Sequence, residues 1–200
     1  MAPQRKTFPR LFAGRADPLR LSGERAFLRP PERGDYEAWA DLRARSRHFL
    51  APWEPTWPPD ALSRASFRAR IARYSEDWRS DQGYNFFIFR PDETLVGGVG
   101  LSNLRRGVAE TASLGYWIGE PFARQRFMTA ALPLVLDFSF DRLRLHRVEA
   151  ACLPTNVPSR ALLKSTGFTE EGYARRYLLI DGKWQDHLLF AILREDWRGA

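Results

Sequence analysis

The sequence predicts a mixed α/β domain whose strands are antiparallel in the N-terminal part and gain parallel character near the centre. The length of 200 residues fits one domain. Hydrophobic residues make up 44% of the chain and aromatic residues 14%, which is enough apolar surface for a core and excludes disorder throughout. The apolar pattern alternates between strand and helix periods in the order β-α-α-β-β-β-α-β-α-β-β, without repeats or low-complexity tracts.

The first half of the domain is predicted to contain four strands and two helices. A short strand at residues 26–29 ends at two prolines, and Asp35 has the residue type and position of a helix N-cap. A loop rich in proline and tryptophan, residues 49–59, follows that first helix. The remaining elements are a helix at roughly 60–79 and strands at 85–89, 95–101 and 111–118, the first two strands joined by Pro91-Asp92-Glu93.

The second half alternates between helices and strands before it ends in a hairpin. A helical period runs from Phe122 to about Asp141. Asp181-Gly182 is a strong signal for a two-residue hairpin turn. The predicted elements that follow the long helix are a strand at 147–153, a helix at 157–165 and strands at 168–179 and 184–193.

The formal charge of +7 is concentrated near the N-terminus. The first 25 positions contain six basic and two acidic residues, which gives a net charge of +4. Prolines and glycines interrupt the same stretch, which predicts a mobile basic arm over residues 1–24 and a folded domain over 25–200. Two interpretations of the arm stay open: a solvated tail, or a contact with RNA or the ribosome.

Composition also restricts the compartment and the cofactors. No run of about 18 apolar residues occurs, so no membrane span is expected, and the N-terminus lacks the apolar stretch of a secretory signal. A single cysteine, Cys152, excludes an internal disulfide framework and is expected to serve packing. His48, His146 and His187 lack the spacing of metal ligands, so no metal is expected. We expect a cytoplasmic protein, either a monomer or a homodimer.

Residues 114–130 have the pattern of a strand, a short loop and the start of a helix. Such a turn directs backbone N–H groups and the positive end of a helix dipole at one point, which suits a pyrophosphate. Arg124 and Arg126 place further positive charge at the same position. Because many α/β proteins contain a turn of this kind, the pattern alone does not identify the ligand.

Several short motifs, in a fixed order along the chain, make the interpretation of this turn more specific. They are FLRP at 27–30, PWEPTW at 52–57, LGYWIG at 114–119, RVEA at 147–150, N-x-x-S at 156–159 and L-x-x-x-GF-x-x-EG at 163–172. Together they resemble the GNAT superfamily of N-acetyltransferases, in particular the branch of ribosomal-protein-alanine N-acetyltransferases. The resemblance covers residues 25–198 and implies a central mixed, splayed β-sheet flanked by helices.

The resemblance implies that acetyl-CoA lies where the strands at 111–118 and 147–153 part. The first of these strands would offer its backbone to the pantetheine, and the turn at 122–128 would hold the pyrophosphate. Asn156 would bond the pantetheine arm or the acetyl region, and Ser159 would protonate or hydrogen-bond the leaving thiolate. The implied cofactor-binding residues are Leu114, Tyr116, Trp117, Ile118, Arg124, Arg126, Phe127, Met128, Thr129, Asn156 and Ser159.

Acetyl transfer to an amine also needs a group that removes the amine proton. Glu54 lies in the proline- and tryptophan-rich loop, and Glu149 lies on a strand beside the expected cofactor. Each has a structural alternative, namely hydrogen bonding within the loop for Glu54 and strand pairing for Glu149. The catalytic candidates are therefore Glu54, Glu149 and Ser159.

The phosphate turn departs from the family pattern Q/R-x-x-G-x-G/A. Arg126 stands at the position of the expected glycine, and Ala123 stands at the position of the leading Gln or Arg. An arginine at 126 would either point outward and pair with a phosphate, or crowd the turn. We predict measurable acetyl-CoA binding that is weaker than with glycine at 126. Pro133 lies inside the predicted helix, where it removes one backbone donor and predicts a kink.

The sequence leaves three functions open for this fold. The main hypothesis is an enzyme that acetylates the N-terminal α-amine of a protein such as a ribosomal protein. The alternatives are an acetyltransferase for a small amine, and a binding module that has lost catalysis.

Overall fold

An open sheet of eight strands forms the frame of the molecule in the part of the chain that the structure describes. The structure is a computed structural model in which residues 19–197 and 199 are described, so most of the predicted arm, residues 1–18, lies outside them. The strands are β1 (Leu21–Ser22), β2 (Phe27–Arg29), β3 (Tyr84–Phe89), β4 (Leu95–Arg105), β5 (Thr111–Ile118), β6 (Arg147–Cys152), β7 (Thr169–Ile180) and β8 (Lys183–Leu193). The helices are α1 (Tyr36–Arg45), α2 (Arg47–Leu50), α3 (Arg64–Arg79), α4 (Phe127–Asp137) and α5 (Val157–Ser165).

The strands lie in the order β1-β2-β3-β4-β5-β6-β8-β7. Every neighbouring pair is antiparallel except β5 and β6, which are parallel. A parallel pair needs a crossover between its strands, and α4 supplies it here. The predicted mixed sheet, antiparallel at first and parallel at the centre, is confirmed.

The parallel pair is short, and its strands then separate. Thr111–Leu114 of β5 pair with Arg147–Ala150 of β6. β5 continues to Ile118 and β6 to Cys152 without further pairing between them. The sheet therefore opens into a gap beyond Leu114 and Ala150, which is the splay expected from the resemblance.

Helices cover both faces of the sheet, because successive strand residues point to opposite sides. On one face the core of α4 and α5, including Leu132, Leu136 and Leu163, packs against β5 and β6. On the other face a second cluster joins α1 and α3 to β2 and β3. The buried side chains of this second cluster are Phe27, Trp39, Leu42, Phe67, Ile71, Phe87, Phe89 and Leu95.

The predicted helix from Phe122 to Asp141 differs most from the structure. Residues Glu120–Phe122 form a 3₁₀ turn, and α4 begins only at Phe127. Arg124 and Arg126 have φ angles of 60° and 64°, and such left-handed residues interrupt a right-handed helix. After Asp137 the chain continues as a π-helical turn, Phe138–Arg142.

Other boundaries move by a few residues. The second helix starts at Arg64 rather than near residue 60, and β4 extends to Arg105 rather than ending at residue 101. Asp35 does precede α1, but its carboxylate does not cap that helix. Instead it accepts hydrogen bonds from Arg29 at 2.6 and 2.8 Å and from the N–H of Glu32 at 2.7 Å.

The folded structure begins earlier than residue 25. Leu21–Ser22 pair with β2, and Leu19 and Leu21 pack against the core. Arg20 places its guanidinium 3.3 Å from the ring centre of Phe27. None of the described helices combines the length with the hydrophobicity that crossing a membrane demands.

Candidate active site

A cavity of about 530 Å³ lies between the sheet and the helices α1 and α3. We call this cavity the chamber. Its floor is formed by β4 and β5, and its sides by α1, α3 and the proline- and tryptophan-rich loop. The lining includes the aromatic residues Trp39, Trp57, Tyr74 and Trp117 and the polar residues Arg43, Glu54, Ser66, Arg70, Asn85 and Ser102.

The chamber meets the gap between β5 and β6. Gly115, Tyr116 and Trp117 line the chamber, and all three lie beyond Leu114, the last β5 residue paired with β6. The floor of the chamber therefore ends where the sheet opens. A ligand in the gap and a ligand in the chamber would meet along this stretch of β5.

Glu54 is held rigidly at the side of the chamber. Arg43 donates from Nη1 to Oε1 at 2.7 Å and from Nη2 to Oε2 at 2.5 Å, and Trp57 donates from Nε1 to Oε2 at 2.8 Å. The Arg43 guanidinium lies 4.2 Å from the ring centre of Trp57 and 4.9 Å from that of Trp117. A bidentate ion pair stacked between two indoles fixes the carboxylate in one orientation.

Among the described residues that line the chamber, Glu54 is the only carboxylate. Its backbone oxygen accepts a hydrogen bond from the N–H of Asp181 at 3.0 Å, so the β7–β8 turn is tied to the loop that carries it. The structure thus brings Glu54 to the chamber and leaves its carboxylate available there. Glu54 also takes part in hydrogen bonding within the loop, which was the alternative interpretation, because it accepts the bond from Trp57.

Glu149 lies elsewhere. Its carboxylate pairs with Arg147 at 3.0 Å and with Arg105 at 3.3 Å, and it does not line the chamber. Arg147 also pairs with Glu171, which continues this chain of charges along the strands. The contacts of Glu149 are therefore those of an ion-pair network between strands.

Ser159 lies at the start of α5, beside the gap. Its backbone N–H donates to Oδ1 of Asn156 at 3.1 Å, so Asn156 is the N-cap of this helix. The Ser159 hydroxyl forms a hydrogen bond of 2.7 Å with the hydroxyl of Tyr116. Since Tyr116 belongs to β5 and Ser159 to α5, this bond crosses from one side of the gap to the other.

Sequence reasoning assigned Tyr116 a role through its backbone and missed its side chain. The two hydroxyls lie 43 positions apart in the chain, and no spacing signal connects them. Burial raises the pKa of Tyr116 to about 12, although the hydrogen bond to Ser159 acts in the opposite direction. The phenol therefore stays protonated at neutral pH.

Cys152, at the end of β6, is a buried free cysteine in the core cluster, as the packing role requires. Burial raises the pKa of its thiol. His187 is also buried, and its Nδ1 lies 3.0 Å from the backbone oxygen of Gln185.

The start of α4 has no side-chain cap on its first backbone N–H groups. Arg126 is the N-cap residue of α4, and it makes no side-chain capping bond to the first turn. Arg124, Arg126 and Thr129 are exposed, whereas Phe127 and Met128 are buried in the core. The side chains of Phe127 and Met128 are thus committed to packing, and only their backbone N–H groups are open to a ligand.

Two glycines near the site permit close approaches that sequence reasoning did not foresee. A Cβ at Gly119 would collide with the side chain of Leu42 in α1. A Cβ at Gly98 would lie 2.5 Å from Nε1 of Trp117. Glycine at 98 therefore lets the Trp117 indole pack closely against β4, within cation–π distance of Arg43.

Comparisons with known proteins agree with this geometry. A family profile described as Acetyltransferase (GNAT) domain matches residues 25–169. The ribosomal protein uS5-alanine N-acetyltransferase of Escherichia coli is 36% identical over 182 residues, 90% of this chain and 93% of that protein. Mycobacterium smegmatis RimJ in complex with CoA-disulfide superposes with a TM-score of 0.83 at 36% identity, covering 88% of this chain and 85% of that one. The ribosomal-protein-S5-alanine acetyltransferase from Vibrio fischeri superposes with a TM-score of 0.83 at 28% identity, covering 90% and 99%.

Proposed function

The chain belongs to the GNAT family of acetyltransferases, and from this membership we propose that it acetylates the N-terminal α-amine of a protein such as a ribosomal protein. It is an acetyl-CoA-dependent N-acetyltransferase. The observation that carries the proposal is the junction of the chamber with the gap between β5 and β6, where an amine and a thioester can meet. The acceptor class is supported by the relatives that act on a ribosomal protein alanine.

The residues around the gap fit acetyl-CoA. Beyond Leu114 the backbone of β5 is not paired with β6, so its free edge can receive the amides of the pantetheine arm. The uncapped start of α4, flanked by Arg124 and Arg126, suits the pyrophosphate. When bound, acetyl-CoA supplies the activated acetyl group as a thioester.

We assign Glu54 the role of proton acceptor for the amine. A carboxylate has about four lone-pair positions, and Arg43 and Trp57 together donate three hydrogen bonds to it. The remaining position can accept from the amine directly or through one water molecule. Glu149 was the other candidate, and its place outside the chamber favours Glu54.

We assign Ser159 the role of hydrogen-bond donor to the leaving thiolate. Tyr116 stays protonated at neutral pH, so its hydroxyl can donate to Oγ of Ser159. Because Oγ then accepts that bond, the Ser159 hydroxyl keeps its own proton to donate, and the leaving thiolate would compete for it with the neighbouring Cys152 thiol. Tyr116 is thus a positioning residue that acts through Ser159.

The substitution at Arg126 does not support the alternative of an inactive binding module. The backbone at 126 keeps the left-handed conformation that glycine adopts easily, and the side chain is exposed. A left-handed residue with an exposed side chain at 126 supports an active enzyme over the binding module.

We further propose that the protein works in the cytoplasm and contacts the ribosome through the basic N-terminal segment. Residues 1–18 contain four basic residues and one acidic residue. Nucleic acid in the ribosome would attract such a segment at low ionic strength.

A thiol-release assay with acetyl-CoA tests the acceptor class. The panel contains a peptide with a free N-terminal alanine, the same peptide with a blocked N-terminus and an internal lysine, and spermidine. We expect turnover of the free α-amine alone. Turnover of spermidine without turnover of the peptide would contradict the proposal and indicate a small-amine acetyltransferase.

A further inference from the structure

The charged side chains that line the chamber do not balance. Among the described lining residues, the charged ones are Arg43, Glu54 and Arg70. The bidentate ion pair with Glu54 neutralises Arg43. Arg70 forms no ion pair with an acidic residue in the described part of the chain. The chamber lining therefore has one uncompensated positive charge, which belongs to Arg70.

Arg70 is held at the wall of the chamber by α3. Ser66, Arg70 and Tyr74 follow one another at intervals of four residues and all line the chamber, so they share one face of the helix. Nη1 of Arg70 donates to the hydroxyl of Tyr74 at 3.2 Å, and the guanidinium lies 5.5 Å from the ring centre of Trp39. A guanidinium has five N–H donors, and the bond to Tyr74 uses one of them. The others can bind an anion in the chamber.

The wall with Arg70 stands on the side of the floor that is away from the gap. α3 packs on β3, where the rings of Phe67 and Phe87 lie 6.5 Å apart. Only β4 separates β3 from β5, so these two strands are about 10 Å apart. The gap begins beyond Leu114 of β5. An extended chain advances about 3.3 Å per residue, so an acceptor with its amine at the gap brings its second to fourth residues toward this wall.

We propose that Arg70 is a specificity-determining residue that binds a carboxylate side chain at the second, third or fourth residue of the acceptor. The inference rests on the proposed function, that is, on a peptide whose α-amine reaches the gap. A carboxylate would neutralise the uncompensated charge and accept two parallel hydrogen bonds from the planar guanidinium. Trp39 and Tyr74 flank the guanidinium with aromatic rings, which exclude water from part of it and strengthen such a bond.

Two substitutions separate the charge of Arg70 from its packing. Arg70→Lys keeps the positive charge, and Arg70→Gln keeps a side chain that can donate to Tyr74 but has no charge. Arg68→Gln is the matched control, because Arg68 belongs to the same helix, is exposed and does not line the chamber. All three variants should unfold at a temperature close to that of wild type, since none of them removes a core side chain.

The experiment measures kcat and KM for amidated hexapeptides that begin with alanine and have glutamate or glutamine at position two, three or four and no other charged side chain. At one of these positions wild type should prefer glutamate by about 10–100-fold in kcat/KM, the range for a hydrogen bond between charged groups. The preference should lie in KM, because Arg70 does not touch the reacting groups. Arg70→Gln should abolish it, Arg70→Lys should retain part of it, and Arg68→Gln should retain all of it.

The possible results distinguish the inference from the proposed function. Equal kcat/KM for the glutamate and glutamine peptides in wild type would overturn the inference and leave the proposed function intact. A preference for glutamate that survives in Arg70→Gln, or an equal loss for both kinds of peptide in that variant, would also overturn it, since Arg70 would then have a structural role alone. A wild-type enzyme that acetylates none of the peptides would instead contradict the proposed function.

Discussion

At the scale of single residues, two arginines occupy backbone conformations that usually favour glycine. Arg124 and Arg126 have φ angles of 60° and 64°. A left-handed conformation costs a residue with a Cβ about 1–2 kcal/mol. The turn before α4 therefore holds strain, and in return it places two guanidinium groups beside the open helix start.

Replacing Arg126 by glycine should relieve part of this strain. We expect the free energy of unfolding in urea to rise by roughly 0.5–1 kcal/mol. Glycine removes the steric cost of the left-handed conformation, but it also loses more backbone entropy on folding, which offsets part of this gain. Thr129→Gly, in the first turn of α4, is the control and should lower stability. A loss of stability in Arg126→Gly would show that the arginine makes favourable contacts.

Calorimetry on the same variant tests whether acetyl-CoA binds more tightly with glycine at 126; tighter binding by wild type would contradict that prediction.

The carboxylate of Glu54 should matter for chemistry more than for binding. Glu54→Gln keeps a side chain that can accept from Arg43 but removes the proton acceptor, so kcat should fall by about 100-fold. The Kd for acetyl-CoA should not change. Glu149→Gln is the matched control and should keep kcat within about threefold of wild type, since mutations of surface networks have small effects. Equal losses in the two variants would argue against a special role for Glu54.

The hydroxyl pair of Tyr116 and Ser159 should behave as one unit. Ser159→Ala and Tyr116→Phe should each lower kcat about tenfold, and the double variant should lose little more than either single one, because groups that act together are non-additive. Steady-state kinetics on the four proteins at saturating acetyl-CoA measures this coupling. Additive losses would show that Tyr116 does not act through Ser159. A purely structural role for Tyr116 would instead appear as a raised KM or a lower unfolding temperature.

At the scale of elements, the site depends on contacts between segments that are distant in sequence. The β7–β8 turn is held against the proline- and tryptophan-rich loop by the bond from Asp181 to Glu54. At the other end of the sheet, Arg106 at the end of β4 donates to Asp81 at 2.7 and 2.8 Å. This ion pair fixes the loop between α3 and β3 to the β4–β5 connection.

The Asp81 ion pair predicts a pH dependence of stability. Burial by itself would raise the pKa of Asp81, but hydrogen bonds from Arg106 and Tyr84 and the charge of Arg106 outweigh it and lower that pKa below 3.8. A lowered pKa in the folded state means that the stabilisation is complete above the unfolded value and is lost as pH falls through the folded value. Asp81→Asn should therefore cost about 1–2 kcal/mol of unfolding free energy at pH 7, and the difference from wild type should shrink as the pH falls below 3.8 and through the lowered pKa of Asp81. The control is Asp141→Asn at an exposed position, and an equal effect of the two variants would contradict the assignment.

At the scale of the whole molecule, the basic charge is concentrated at the start of the sequence. The residues named around the chamber belong to the described part of the chain, and residues 1–18 contain four basic residues and one acidic residue. Removal of residues 1–18 keeps Leu19 and β1, which pack against the core. The truncation point therefore leaves the described fold complete.

Deletion of residues 1–18 should abolish co-sedimentation with ribosomes at low salt and leave peptide acetylation unchanged. Sedimentation of both proteins at two salt concentrations, together with the thiol-release assay, measures the two effects separately. A protein that carries all the basic residues of this segment in scrambled order should still co-sediment, because the attraction depends on charge. Co-sedimentation of the truncated protein would contradict a role for the segment.

The sequence by itself determined the order of the elements and the family of the fold. Apolar periodicity is a local property, so the strands at 111–118 and 147–153 and the helix at 157–165 were predicted within one residue of β5, β6 and α5. It failed at residues 122–126, where two arginines adopt a conformation that side-chain type does not predict. The short motifs also placed Glu54 and Ser159 among the candidates.

Only the tertiary structure decided which of these residues work together. The bond between Tyr116 and Ser159 depends on how far β5 and β6 separate, and the stack of Trp57, Arg43 and Trp117 depends on how α1 lies against the sheet. Gly100 and Gly115 lie side by side on the floor of the chamber because of the register of β4 and β5. Such distances are set by sheet register and packing over the whole chain, and no local stretch of sequence contains that information.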